Sequence, residues 1–170
     1  MKIAVIGYSG AGKSTLVRVL GERLNCPVLH LDSVYHGPNW TKRDDSEVMQ
    51  EIADFLDSHD DWVVDGDYSR FHFERRIEEA DRVIIMDFNR FACLWRAWKR
   101  SRRYRGQTRP DMAKGCTEKL DLEFLSWLLW KGRSRRRKLR FRRICEKYPN
   151  KVTVLKNQKQ IDRFLEEFSC

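Results

Sequence analysis

Short apolar runs alternate with helical stripes along most of this chain. Lys2-Ile3-Ala4-Val5-Ile6 reads as a buried strand. Ser14 to Leu24 follows as a helix, with Leu16, Leu20 and Leu24 four apart on one face, and Asn25-Cys26-Pro27 closes it. Val28-Leu29-His30-Leu31 predicts a second strand ending at Asp32, and Ser33 to Lys42 a loop. Asp44 or Asp45 caps the next helix, whose stripe is Val48, Ile52, Phe55 and Leu56. Trp62-Val63-Val64 predicts the third strand, running into Asp65-Gly66-Asp67. Phe73, Ile77 and Ala80 mark a short helix, and Arg82 to Met86 predicts the fourth strand, ending at Asp87.

The second half is patterned differently. Phe91 to Arg105 predicts a strongly basic helix, followed by a break at Arg105-Gly106-Gln107-Thr108-Arg109-Pro110. Glu118 to about Lys147 predicts a second helical region with Leu120, Phe124, Trp127 and Leu128 as its stripe, kinked or divided at Gly132. Lys151 to Leu155 is the fifth strand, and Ile161, Phe164, Leu165 and Phe168 outline a closing helix. Strands alternating with helices imply an α/β class with a parallel sheet and helices on both faces. Ligands of such folds sit at the carboxyl ends of the strands. Three predicted strands end in an aspartate there, Asp32, Asp65 and Asp87; each is also an ordinary turn residue.

Composition narrows the class. The 170 residues suit one domain, 1–170, with a basic helical insert at about 90–147. No apolar run approaches a membrane span and the chain enters a strand at once, so no membrane partner and a cytoplasmic location are expected. The five cysteines, Cys26, Cys93, Cys116, Cys145 and Cys170, lack metal-ligand spacing and fit reduced thiols. The net charge of +9 is uneven: residues 90–143 carry 19 Lys and Arg against 4 Asp and Glu, and the remainder 15 against 21. That tract asks for an anionic partner, with nucleotide phosphates, nucleic acid and an acidic surface all open.

Gly7-Tyr8-Ser9-Gly10-Ala11-Gly12-Lys13-Ser14 supplies the chemistry. It matches the phosphate-binding pattern G-x-x-x-x-G-K-[ST] between a predicted strand and a predicted helix. The glycines let backbone amides of Gly7, Ser9, Gly10, Ala11 and Gly12 curl around an anion, and the helix start at Ser14-Thr15 adds its unpaired N–H groups. Lys13 would reach the β- and γ-phosphates of a nucleoside triphosphate, and Ser14 would ligate Mg²⁺. ATP and Mg²⁺ are the expected cofactors.

Asp65, after three apolar strand residues, suits the second magnesium carboxylate or a strand-end cap. Asp32 suits a general base for an incoming hydroxyl, or again a cap. Arg96 and Arg100 share a helix face, with Arg103 three further on; they suit a lid that neutralises a transferring phosphoryl, or a solvated basic face. The run Arg133 to Arg143 reads as a solvated face or electrostatic patch. Tyr35, His36 and Trp40, with Asp67, Tyr68 and Arg70 opposite, would line the acceptor pocket together with Asp32. Asn157-Gln158 would border the adenine by position.

Together, Gly7–Ser14, Asp65-Gly66 and the Arg96/Arg100 pair resemble the adenylate-kinase-like branch of P-loop kinases. The resemblance implies a P-loop NTPase three-layer sandwich with a five-stranded parallel sheet in the order 2-3-1-4-5, a basic helical lid, and lid arginines on the ATP phosphates. More closely, His30-Leu31-Asp32, Val64-Asp65-Gly66-Asp67-Tyr68-Ser69 and the Trp-rich basic half resemble the DNA topology modulation proteins, a group whose name specifies no reaction. Where a nucleoside monophosphate kinase would continue Phe-Pro-Arg after Asp65-Gly66, this chain has Asp67-Tyr68-Ser69-Arg70. Asp67 adds negative charge where an acceptor phosphate would approach, so a neutral hydroxyl compound is at least as plausible, as in shikimate- or gluconate-type kinases. The expectation is a kinase with an unknown acceptor; a nucleotide-dependent DNA- or RNA-binding protein and a stand-alone ATPase remain alternatives. No Asn-Lys-x-Asp motif speaks for guanine.

Overall fold

A computed structural model describes residues 1–108, 111–113, 115–118 and 120–168. Five strands, β1 (Lys2–Gly7), β2 (Val28–His30), β3 (Trp62–Asp65), β4 (Arg82–Met86) and β5 (Val152–Leu155), form one sheet in the order β2-β3-β1-β4-β5. Every pairing is parallel. Ile3 to Ile6, Trp62 to Val64 and Val83 to Met86 are buried, which is why these strands read as continuous apolar runs rather than alternating ones. The edge strands β2 and β5 are less buried, and β2 is the shortest strand at three residues.

Among the described residues, eight α-helices surround the sheet: α1 (Lys13–Leu24), α2 (Leu31–Tyr35), α3 (Asp45–Ser58), α4 (Phe73–Glu79), α5 (Arg90–Arg103), α6 (Leu122–Leu129), α7 (Arg135–Lys147) and α8 (Gln158–Glu166). Asp44 is the cap of α3, accepting from the Ser46 and Glu47 amides. Val48, Ile52 and Leu56 are the buried face of that helix.

Three boundaries differ from the sequence reading. β2 stops at His30, and Leu31 opens the five-residue α2, so Asp32 lies in a first helical turn rather than at a strand end. The predicted loop 33–42 accordingly holds the rest of α2 and a 3-10 turn at Pro38–Trp40. The predicted helical region from Glu118 starts only at Leu122, and it divides at Gly132, one of the two alternatives read from the sequence, into α6, a 3-10 turn at Lys131–Arg133 and α7. Gly132 sits at the division, where a Cβ would lie 2.8 Å from the Trp127 carbonyl oxygen. In the break after α5, Arg105 bridges to Glu118 and Thr108 to Thr117, so the segment folds back on itself. Arg109 and Pro110 of that break, and Cys170, lie outside the described residues. Cys26, Cys93, Cys116 and Cys145 are free thiols. No helix among the described residues is long and apolar enough to cross a membrane.

Candidate functional site

Strand order reverses on either side of β1, and the carboxyl ends of β1, β2 and β3 open into a cleft of ≈ 1570 Å³. The Gly7–Ser14 loop forms one end. Gly10 and Gly12 adopt φ of +77° and +96°, the left-handed region that favours glycine. A Cβ on Gly10 would meet the Cys93 carbonyl oxygen at 2.7 Å, and one on Gly12 would meet Arg96 Nη1 at 2.7 Å. Gly12 precedes α1 with no side-chain cap, which leaves first-turn amides for an anion. The Lys13 ammonium donates to the Tyr8 carbonyl at 3.3 Å, across the loop it belongs to. Ser9, Lys13, Ser14 and Thr15 all line the cleft.

Arg96 and Arg100 reach the cleft from α5. Arg96 Nη1 donates to the Ala11 carbonyl at 2.9 Å, and the guanidinium lies 4.4 Å from the Phe88 ring centre. Its other nitrogen donates to Gln158, one of the two residues placed by position near an adenine. Arg100 pairs at 2.7 Å with Glu118, whose side chain is buried. Trp127 of α6 donates to Ser9 Oγ at 3.2 Å.

The opposite wall carries the residues expected from the sequence to line an acceptor pocket. Asp32 accepts from the Tyr68 hydroxyl at 2.7 Å. Burial and the Asp32 charge push the Tyr68 phenol far above its usual range, so it stays a donor. Tyr68, Tyr35, His36 and Trp40 form a continuous aromatic wall, with ring centres 5.2, 4.8 and 5.3 Å apart in that sequence. Burial lowers the His36 pKa, favouring a neutral ring. Trp40 is pinned by donating to the Thr117 carbonyl at 3.1 Å, and Asn39 and Trp40 both take positive φ. Arg70 pairs with Asp45 at 2.7 Å and lies over the Tyr35 and Phe71 rings.

Two readings change. Asp67 lines the cleft but carries no uncompensated charge, because Arg137 (2.5 Å) and Arg140 engage it. Burial pushes its pKa up, against the pull of those two cations. The Arg133–Arg143 run is also not simply solvated. Arg137 and Arg140 lie on the buried side of α7 with Phe141 and Ile144, and Arg133 stacks 4.0 Å over Tyr8 while donating to the Phe88 carbonyl at 2.9 Å. Arg135, Arg136, Arg142 and Arg143 are the exposed ones. The i, i+3, i+4, i+7 spacing of Arg137, Arg140, Phe141 and Ile144 was the available signal for this inner face.

Asp65 is buried and accepts from His30 Nδ1 at 2.8 Å. Burial alone would lower the His30 pKa, but the Asp65 hydrogen bond and the charges of Asp65, Asp111 and Asp32 outweigh it and hold the pKa above the usual value. Among the described residues no group of three His, Cys, Asp or Glu side chains converges to hold a metal. Ser14 lines the cleft, whereas Asp65 lies beneath its lining and is held by His30.

Fully buried Arg76 escaped the sequence reading. It donates to the carbonyls of Gly66 (3.0 Å), Tyr68 (3.1 Å) and Phe71 (3.0 Å), tying down the segment that carries Asp67 and Tyr68.

No protein-family model matches the chain, and no curated protein matches it. Solved structures do. A gluconokinase from Sinorhizobium meliloti is 16% identical at TM-score 0.52, over 98% of this chain and 88% of that one. The chain shares its fold, an α/β sandwich on a five-stranded parallel sheet in the order 2-3-1-4-5. An unliganded sugar kinase from a Janibacter species is 13% identical at TM-score 0.51, over 97% of this chain and 92% of that one. A Thermus thermophilus protein is 15% identical at TM-score 0.57, over 98% and 95%. At these identities the likeness shows the fold alone.

Proposed function

We propose that this chain is a cytoplasmic ATP-dependent phosphotransferase that moves the γ-phosphoryl group to the hydroxyl of a small molecule. The observation that carries the reading is one cleft with two unlike ends. The Gly7–Ser14 loop with Lys13 and Arg96 stands at one, and Asp32 with its aromatic wall at the other. The loop amides and Lys13 hold the phosphates, and Arg96 and Arg100 neutralise charge on the transferring group. Ser14, with Asp65 behind it, would hold Mg²⁺, which would supply positive charge to the triphosphate. The acceptor oxygen bonds the γ-phosphorus, the bond from that phosphorus to the β,γ-bridging oxygen breaks, and ADP leaves. The hydroxyl proton passes to Asp32. Residues 90–147 act as the lid over this cleft. Kinases among the solved neighbours support the reading, and His30-Leu31-Asp32 with Val64–Ser69 supports placing it beside the DNA topology modulation proteins.

Label transfer from Mg·[γ-³²P]ATP into a pool of nucleosides, sugars and nucleotides tests this, with Lys13→Ala as control. A labelled product that disappears in the variant is expected. Label released only as free phosphate would mark an ATPase, and turnover retained in Lys13→Ala would sink the assignment. A second reading, nucleic-acid binding by the basic tract, is favoured by Trp95 and Trp98. These are exposed and stacked 4.9 Å apart, with Lys99 and Arg102 over their rings. Affinity for single strands that falls steeply with salt is its signature.

A further inference from the structure

The acceptor half of the cleft is furnished for a hydroxyl compound and not for a second phosphate. Recognition of an acceptor phosphate relies on guanidinium groups held ready for its oxygens. The arginines on this side of the molecule are committed elsewhere. Arg137 and Arg140 both engage Asp67, and burial holds the Arg140 pKa below its usual value. Arg76 spends its donors on three backbone carbonyls. Arg43 donates to Glu51 and to the Val34 carbonyl. Arg70 is paired with Asp45 and lies flat over Tyr35 and Phe71, although at the half-exposed rim. Lys42 adds one positive charge to the lining and Asp32 one negative charge, while Arg18 pairs with Glu22 at 3.5 Å.

What faces the space is aromatic and acidic. Tyr35, His36, Trp40 and Tyr68 join ring to ring, and Asp32 stands beside them with one oxygen held by Tyr68. Aromatic faces pack against the C–H faces of ring compounds, and carboxylates accept from their hydroxyl or amine groups. Lys13, Arg96, Lys99 and Arg103 line the cleft around the Gly7–Ser14 loop, together with the acidic Glu118, Asp121 and Glu123.

From this we infer that the acceptor is a phosphate-free polyhydroxy ring compound, uncharged or amine-bearing, seated on the Tyr35–His36–Trp40–Tyr68 wall with a hydroxyl toward Asp32. The inference rests on the phosphotransferase reading and narrows it. Asp67 is the specificity device: its carboxylate occupies the two guanidiniums that would otherwise serve an acceptor phosphate.

Matched acceptor pairs test it: adenosine with AMP, glucose with glucose 6-phosphate, and glucosamine with its 6-phosphate. Each is offered label from Mg·[γ-³²P]ATP. In parallel, inorganic phosphate is titrated calorimetrically into the wild-type chain and into Asp67→Asn, each with and without saturating ADP. The expected results are label in a phosphate-free member at least about 100-fold faster than in its phosphorylated partner, and phosphate binding to Asp67→Asn at least about 10-fold tighter than to wild type. Preferred labelling of a phosphorylated member overturns the inference. So does phosphate binding to the wild type as tightly as to the variant. No label in any pair counts against the phosphotransferase reading instead, and the phosphate titration, which needs no turnover, still decides the charge argument. The wild-type label comparison stands whether or not Asp67→Asn folds, and the variant's thermal melt reports its folding directly.

Discussion

Arg76 offers the sharpest test of how this cleft is held. Its guanidinium is fully buried, faces no carboxylate within ion-pair distance among the described contacts, and donates to three carbonyls of the 66–71 segment at 3.0–3.1 Å. Burial pushes its pKa down to about 10, so it remains charged at neutral pH. Arg76→Met keeps much of the volume and removes every donor. Each carbonyl left without a partner costs about 1–3 kcal/mol. Relief from burying an ion returns several kcal/mol. The balance is a loss of about 2–4 kcal/mol, read as a lower urea midpoint at unchanged slope. Arg76→Lys keeps the charge, but a compact ammonium cannot span three separated carbonyls, so it recovers only part of the loss. Since the same segment carries Tyr68 to Asp32, phosphoryl transfer falls further than nucleotide affinity in both variants. A cost below about 1 kcal/mol for Arg76→Met, or equal loss of nucleotide binding and transfer, would refute the reasoning.

Two further outcomes follow from the site. Gly10→Ala forces a side chain into φ +77° with its Cβ 2.7 Å from a backbone oxygen of Cys93. The expected cost is about 2 kcal/mol or more in thermal or urea unfolding, with nucleotide binding lost, and unchanged ATP affinity would contradict the cradle. His30 has its folded-state pKa raised above 6.5 by Asp65, Asp111 and Asp32 against the opposing effect of burial. Its contribution is therefore complete below about pH 6.5 and lost as pH rises through the folded value. Without magnesium, the melting temperature is expected to fall across that window, and His30→Gln to flatten the slope; an identical slope in the variant would count against the pair.

The periodicity of the chain determined most of the framework. Ile3 to Ile6, Trp62 to Val64 and Val83 to Met86 could only be doubly covered strands, and the alternation with helices dictated a parallel sheet. Gly7 to Ser14 announced itself because glycine at left-handed positions and a lysine before a helix are local requirements, written within eight residues. The position of Asp32 was harder to read, because Leu31 is buried whether it ends a strand or opens a helix. Pairings across the sequence were not legible at all. Asp67 meets Arg137 and Arg140 some 70 residues on, Trp40 meets Thr117, and Arg100 meets Glu118. A charge count sees Asp67 as a negative charge and the arginine run as a positive one. Only their juxtaposition, set by how α7 docks on the loop after β3, brings the two together, because a through-space pairing leaves no local pattern in the chain.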